Sequence, residues 1–384
     1  MHIVGGLYRE LCDIPFWDST MGSGARAALA AISLSPNIEF TTYASPPDRP
    51  AITALRSKGI IATIHARPSP IVFAYFHPLS SPHLEPARDK IVRLPSLQVS
   101  GEAVLRFGFL EGDAIVTAGR AVYDPQTWRD PQPFAANGSN ANELALVMNE
   151  LEMREATGIK DIDQAARHLI ETQKAQVIVV KKGAWGASVY EADGTVSNVP
   201  AYRSGKIFKI GTGDIFSAVF AFYWAEKKLR PVQAADLASR SVSLYCETYD
   251  FQFDQASLEL RQPVLAKAGA TIRLEGRVET IGQRFTMEEA CFALRELGMC
   301  VVCPELALGS GSSSADATLV INDGLSPESL ARITNDQVKG TPIIELCATS
   351  KTSRLIPANP WSTDDFTTAM YYSAWAAGTM IINT

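Results

Sequence analysis

Lys209-Ile210-Gly211-Thr212-Gly213-Asp214-Ile215-Phe216-Ser217-Ala218 is the stretch around which the chain reads. A strand-like run ends in a Gly-x-Gly-Asp turn, and the apolar segment Ile215 to Trp224 that follows predicts a buried helix. A glycine turn opening a helix leaves backbone N–H groups unpaired at the positive end of the helix dipole. Such a turn holds a phosphate, or charge developing on one. The carboxylate of Asp214 repels an anion placed there. The pairing makes chemical sense if Asp214 takes a proton from a hydroxyl that then attacks the phosphate. The alternative is a glycine turn with an aspartate cap.

The remaining sequence narrows the class. With 384 residues the chain exceeds one ordinary core and predicts two domains. Its 46% hydrophobic and 20% charged residues are those of a globular protein. A net charge of −6 and no basic block argue against nucleic acid as a partner. No apolar run reaches membrane-spanning length and the N-terminus has no signal-like pattern, so a cytoplasmic chain is expected. Six scattered cysteines are expected to be free thiols. Cys300-x-x-Cys303 has no second pair, and all five histidines precede residue 170, which argues against zinc.

Read in order, His2 to Leu7 predicts a first strand ending in Gly5-Gly6, and Gly22-Ser23-Gly24 opens an alanine-rich helix. Strands are expected at 40–43, 60–64, 71–76, 114–118 and 175–180, with a returning strand at 187–190 after the Lys182–Gly186 turn. Residues 142–151 and 233–245 read as helices. Buried strands alternating with helices argue for a mostly parallel sheet, whose ligands sit beyond the carboxyl ends of the strands. Asp214, Asn140 and Lys182 all follow strands in this reading. A second α/β pattern starts at Thr271: a helix ending near Gly298, strands at 299–302, 317–321 and 342–346, a polar loop at 309–314, and a helix at 327–338. The boundaries are 1–255, a linker 256–270, and 271–384.

Several stretches, in the family's order along the chain, make residues 1–255 resemble the ribokinase/PfkB family of sugar and nucleoside kinases. Gly211-Thr212-Gly213-Asp214 resembles the family's G-A-G-D turn, which implies Asp214 as catalytic base and the turn's amides as anion hole. Asn140-x-x-Glu143 resembles the N-x-x-E motif, which implies a part in holding the phosphates and, for Glu143, indirect Mg2+ binding. Lys182, Gly183 and Gly186 resemble the glycine turn near the ATP site. Gly22, Gly24 and Arg26 fall in the N-terminal glycine-rich signature that lines the acceptor pocket. Tyr123-Asp124-Pro125 resembles the family's D-P strand end. The resemblance implies a ribokinase-like doubly wound α/β fold, ATP and Mg2+ as cofactors, and a sugar or nucleoside acceptor. A homodimer is a candidate assembly. The chain departs from the pattern by placing Tyr8 and Glu10 after the first strand, and Arg26 where asparagine is usual. Arg26 reads either as a contact for an anionic acceptor or as a surface arginine. Tyr8 reads as a stacking wall or as core.

Residues 271–384 resemble the nucleoside 2-deoxyribosyltransferase-like group, through Gly276, Cys303-Pro304, Asp316 and Asn322-Asp323-Gly324. The resemblance implies a smaller flavodoxin- or Rossmann-like α/β domain with a glutamate nucleophile on the helix before its last strand. That position falls on Arg332, with Glu328 one turn earlier on the same face. Gly276, Asp316, Asp323 and Glu328 are the candidate site residues. The sequence thus predicts a kinase fused to a domain of lost or altered N-glycosidic chemistry. The competing functions are an N-glycosidic hydrolase or transferase and a nucleotide-binding sensor.

Overall fold

The computed structural model describes the chain except residues 128, 130, 265, 266, 268, 310–313, 348–353 and 379–384. Most of the polar loop expected at 309–314 therefore lies outside the described residues. Backbone contacts divide the chain into two compact units. The first comprises Met1–Lys182, Gly186–Ser204 and Lys209–Gln262. The second comprises Gly183–Trp185, Gly205–Phe208 and Pro263–Thr384.

The first unit is built on a nine-stranded sheet. Its order is Val196–Val199, Ala187–Glu191, Val177–Lys181, Asn140–Asn149, Ala114–Asp124, Leu97–Phe107, His2–Val4, Glu39–Ala44 and Ile61–Ala66. The first two pairs in this order are antiparallel and the remaining six are parallel. The parallel strands are apolar along most of their length because both faces are covered. On one face Leu146, Met148, Ile178 and Val180 meet Met153, Ala165, Ala166 and Leu169 of the helices Glu150–Thr157 and Ile162–Gln173. A separate four-stranded sheet is made by Trp17–Thr20, Arg9–Cys12, Val72–Tyr75 and His83–Glu85.

The segment at 142–151 corrects the helix expectation. Asn140–Asn149 is a strand, and the helix starts only at Glu150. The run Leu144 to Met148 is uniformly buried, a pattern shared by central strands and buried helices. What divides strand from helix is a capping box: Asn149 Oδ1 accepts from Glu152 N and Glu152 Oε2 accepts from Asn149 N, both at 2.8 Å.

The second unit carries a five-stranded, all-parallel sheet in the order Cys300–Val302, Thr271–Glu275, Ala317–Asn322, Ile343–Cys347, Ser362–Thr363. Helices Ile281–Glu296, Pro327–Val338 and Phe366–Ala376 accompany it. Each opens on a side-chain cap, from Thr280, Ser326 and Asp365. Trp185 Nε1 donates to Leu297 O at 3.0 Å, and Ala184 O accepts from Trp375 Nε1 at 3.1 Å.

Candidate active site

The turn quoted above opens the buried helix Thr212–Ala221. Gly211 has φ +79°, and a β-carbon there would fall 2.1 Å from Arg26 Nε, so only glycine fits both the backbone and its neighbour. The first i→i−4 bond runs from Ile215 N to Gly211 O at 3.1 Å. The N–H groups of Gly213 and Asp214 therefore lack intrahelical acceptors and carry the positive end of the helix.

Asp214 is 7% exposed and both of its oxygens are engaged. Oδ2 accepts from Arg26 Nη1 at 2.7 Å, and Oδ1 from Gln126 Nε2 at 3.0 Å. Burial raises the carboxyl above the usual aspartate range, with the Arg26 charge opposing and Glu10 adding to the rise. Arg26, 1% exposed, also donates through both Nη atoms to Glu10. Burial works against its charge, but Glu10, Tyr245 and Asp214 outweigh it and hold the guanidinium ionised. Arg26 is thus neither a surface residue nor a free anion receptor. It is the cation of a Glu10–Arg26–Asp214 cluster.

Gln126 reaches Asp214 from a left-handed backbone, φ 58°, uncommon for a residue with a side chain. Its N–H donates to Asp124 Oδ1 at 3.2 Å, which anchors the strained turn. Asp124 ends a central strand, is fully buried, and accepts from Lys181 Nζ at 2.7 Å and Ser217 Oγ at 2.6 Å. Burial disfavours the Lys181 ammonium, but Asp124 and Glu152 more than compensate and raise it. Glu152 is pushed up to about 7, by burial first, with Lys181 opposing.

A cavity of about 300 Å³ lies against this cluster. Glu10, Arg26, Gln126, Gly211, Gly213 and Asp214 line one part of it, and Tyr8, Phe73, Tyr75, Phe109 and Leu110 supply an aromatic and aliphatic part. Tyr8 is 5% exposed. Its hydroxyl donates to Glu111 at 2.7 Å, and Glu111 and Asp48 are both held by Arg67 at 2.8 Å. Tyr8 therefore presents a ring to the cavity and keeps its hydroxyl in a buried ion network.

The structure brings together Tyr8, Glu10, Gly22, Arg26, Gly211, Gly213 and Asp214 around this cavity, and Gly24 lies against the Gly5 backbone. Thr212 Oγ1 turns back to Lys209 O at 3.0 Å. Asn140 and Glu143 are corrected. They sit on the amino half of the strand Asn140–Asn149, and Glu143 pairs with Arg120 at 2.8 Å. At about 3.3 Å per residue, nine residues of strand put Asn140 about 30 Å from the carboxyl edge. The same N-x-x-E spacing recurs at Asn149 and Glu152, at that edge. The lysine is likewise displaced by one: Lys181, not Lys182, bonds Asp124 and stands 3.4 Å from a β-carbon built on Gly213. Lys182 N instead closes the turn on Gly186 O at 2.8 Å, and Gly183 groups with the second unit. Gln126, Lys181, Asn149 and Glu152 are the residues sequence reading missed. The polar box after an apolar run was the signal for the last two.

In the second unit Arg332 takes the position expected of a nucleophile. It donates to Glu275 from Nε at 2.7 Å and Nη2 at 2.8 Å, and to Glu305 at 2.9 Å. Glu328 is exposed in the first turn of its helix. Gly276 lies against Met287, and Asp323 is exposed, accepting from Gln283 Nε2 at 3.3 Å. Asp316 is corrected as a ligand contact: it precedes its strand and is held at the amino edge by Lys267 Nζ at 2.7 Å and Thr271 N at 2.8 Å.

Residues 121–256 match the model of the pfkB family carbohydrate kinase. A 5-dehydro-2-deoxygluconokinase of Listeria innocua is 28% identical over 132 residues, which are 32% of this chain and 39% of that protein. The match thus spans about two fifths of that relative's length. Among solved structures, a ribokinase of Giardia lamblia superposes with a TM-score of 0.51 at 15% identity, covering 67% of this chain and 98% of that one. A fructokinase of Vibrio cholerae gives 0.49 at 17% identity, covering 67% and 97%. The large parallel sheet is therefore that of a ribokinase-like α/β fold, and it is through residues 121–256 that the chain is similar to the pfkB carbohydrate kinases.

Proposed function

We propose that the first unit transfers a phosphoryl group from ATP to a hydroxyl of a sugar, nucleoside or related compound. The observation that carries this reading is Asp214 itself. A buried carboxyl, raised above its usual range, stands at the N-terminus of a buried helix and faces a cavity of small-molecule size. Asp214 receives the proton of the attacking hydroxyl while Gln126 and Arg26 fix the direction of its oxygens. The N–H groups of Gly213 and Asp214 face the charge spread over the transferred group, a stabilisation worth about 3 kcal/mol per donor where measured in other enzymes.

The donor side fits a nucleotide with a hard cation. Asp124 and Glu152 are buried carboxylates at the carboxyl edge, and burial first, with the charge of Asp124 adding and Lys181 opposing, pushes Glu152 up to about 7. Glu152 and Asp124 would hold Mg2+, with waters completing its shell, and Lys181 would face a phosphate. When bound, the ion neutralises phosphate charge.

For the second unit we infer a flavodoxin-like module, of deoxyribosyltransferase-like ancestry, that binds without cleaving. Its strand order is the doubly wound one, and Arg332 is already spent on Glu275 and Glu305.

The test is acceptor-stimulated ADP release over a panel of sugars and nucleosides, with mass spectrometry of the product. Wild-type protein is expected to phosphorylate at least one member and Asp214→Asn none at a comparable rate. Equal turnover in the variant would remove the base assignment.

A further inference from the structure

Two lysines stand at the N-terminus of the helix Thr212–Ala221, and they are balanced differently. Lys181 Nζ bonds Asp124 at 2.7 Å and lies 3.4 Å from a β-carbon built on Gly213. Lys209 Nζ donates to Thr212 Oγ1 at 3.1 Å, and no carboxylate pairs with it among the described residues. A hydroxyl supplies an acceptor but no compensating charge. An ammonium has three N–H donors, so two of those on Lys209 have no acceptor among the described residues.

That charge is unfavourable where it stands. Lys209 is half-buried. Burial first, with the like charge of Lys181 adding, holds its ammonium below the ordinary lysine range against Cys246 and Asp214. Asp214 does not pair with it, because its oxygens are taken by Arg26 and Gln126. Thr212 fixes the ammonium in place all the same. Its hydroxyl accepts from Nζ and donates to Lys209 O at 3.0 Å, and Thr212 N bonds the same carbonyl at 3.3 Å. These bonds fold the lysine back onto the first residue of the helix. The next two N–H groups, of Gly213 and Asp214, lack intrahelical acceptors. An uncompensated cation and open amides thus meet at one helix end, and an anion placed there satisfies both.

We propose that Lys209 is a further catalytic residue: its ammonium contacts the terminal phosphoryl group of ATP as that group passes to the acceptor, and Thr212 positions it. The inference rests on the kinase reading of the Gly211–Asp214 turn and adds a full charge to the partial charges of the amides. The bond from phosphorus to the acceptor oxygen forms as the bond to the ADP oxygen breaks. The acceptor's proton passes to Asp214, and Lys209 keeps its own protons throughout. A cation already held beside the transferred oxygens needs no reorganisation as their charge spreads.

The experiment compares Lys209→Met, Lys209→Arg and Thr212→Val with wild type, on an acceptor that the panel of sugars and nucleosides shows to be phosphorylated. Lys209→Met is expected to lower kcat about 100- to 1000-fold, the loss on removing one donor from an oxyanion hole. The KM of the acceptor should stay within about twofold. Lys209→Arg is expected to recover part of the loss, and Thr212→Val to lose less than Lys209→Met. In calorimetry with Mg2+ and no acceptor, ATP should bind Lys209→Met about 10-fold more weakly, the size of one lost charge-assisted bond, and ADP should bind as in wild type. Without nucleotide, Lys209→Met should unfold at the same or a higher denaturant concentration, since it removes a desolvated charge that no acid neutralises. A lower midpoint alongside lost turnover makes Lys209 a structural residue and overturns the inference. So does a kcat within about twofold of wild type, or an equal loss of ATP and ADP binding. If wild type phosphorylates no member of the panel, the kinase reading falls, and a loss of ATP binding alone in Lys209→Met keeps the phosphate contact. ATP bound equally by wild type and Lys209→Met overturns that contact whatever the turnover.

Discussion

Arg26 and Arg332 each hold a pair of carboxylates, as Arg67 does with Asp48 and Glu111, and of the first two only the Arg26 pair has the makings of a reaction centre. Arg26 joins Glu10 to Asp214 in the first unit, and Arg332 joins Glu275 to Glu305 in the second. Each is one guanidinium between two carboxylates, and the settings differ. Arg26 is 1% exposed and shares its fork between two buried acids that arrive from distant parts of the chain. One of them, Asp214, sits at a helix N-terminus with a second donor, Gln126, and a cavity in front of it. Arg332 is 31% exposed and spends two donors on the fully buried Glu275. Its other acid, Glu305, is 28% exposed. A carboxylate locked in a two-point bond to arginine is a poor base and a poor nucleophile, because its lone pairs and its charge are already committed. Asp214 gives one oxygen to Arg26 and the other to a neutral amide. Its burial still lifts its proton affinity.

The largest expected effect separates the two centres directly. Asp214→Asn keeps the shape and most of the hydrogen bonds but removes the proposed base, so acceptor phosphorylation should fall about 10²- to 10⁴-fold. Nucleotide binding, followed by calorimetry, should remain. Glu275→Gln, the corresponding change in the second unit, should leave that rate within about twofold, as expected of a group outside the chemistry. A large loss in the second variant, or none in the first, would break the contrast.

Stability probes the same contrast from the other side. Arg26→Met strands two buried carboxylates that had shared one guanidinium, at a cost of about 3 to 5 kcal/mol. Arg332→Met strands only Glu275, with solvent reaching Glu305, and about 1 to 3 kcal/mol is expected. Denaturant midpoints of the two variants give the comparison. Adding Glu10→Gln to Arg26→Met should recover part of the loss. If Arg332→Met proves the costlier change, the second centre is the more deeply committed and the argument for a purely structural Arg332 strengthens.

A third, smaller effect tests the donor side. Burial pushes Glu152 up to about 7, from an ordinary value of 4.5. A group raised in the folded state binds its proton more tightly there. Its favourable contribution is therefore present at low pH and is lost as pH rises through the window from 4.5 to about 7. Glu152→Gln keeps an acceptor for Asn149 N and removes the titration. The variant should gain about 2 kcal/mol on wild type between pH 4.5 and pH 7.5, read from denaturation at each pH. A difference that stays flat across that range would show Glu152 already balanced, and would weaken the cation site built on it.

These residues also mark what the sequence made legible. The Gly211–Asp214 turn was readable because its chemistry is local: two glycines, a carboxylate and an apolar run in one stretch. The helix at Gly22 and the parallel sheet were readable from composition and alternation. The Glu10–Arg26–Asp214 cluster was not, since Arg26 and Asp214 lie 188 residues apart and a long-range ion pair leaves no local trace. Asn149 and Glu152 were missed for another reason. Their spacing occurs twice within a dozen residues, and only the strand's true length tells which copy reaches the edge. Gln126 had no signal beyond its place after Asp124-Pro125. Its left-handed backbone exists only because tertiary contacts enforce it.

The smallest expected effect bears on whether the second unit cuts a glycosidic bond. Glu328 is the carboxylate one turn before the nucleophile position on its helix, and it is exposed, with Arg332 four residues on facing Glu275, whereas Asp336 one turn after it is buried against Arg273 and Thr318. A glycosidase-type nucleophile works from a site that excludes bulk water, beside a second carboxyl that supplies a proton. An exposed carboxylate in the first turn of a helix is instead a favourable charge at the dipole's positive end, worth a few tenths of a kcal/mol. Glu328→Ala should therefore change stability by less than about 0.5 kcal/mol and leave both nucleoside integrity and acceptor phosphorylation as in wild type. Chromatography of nucleosides incubated with each protein decides the matter. Release of free base by wild type, abolished in Glu328→Ala, would mean that the helix moves to bury this carboxylate when ligand binds. The contrast between the two arginine centres would then be one of resting state rather than of function.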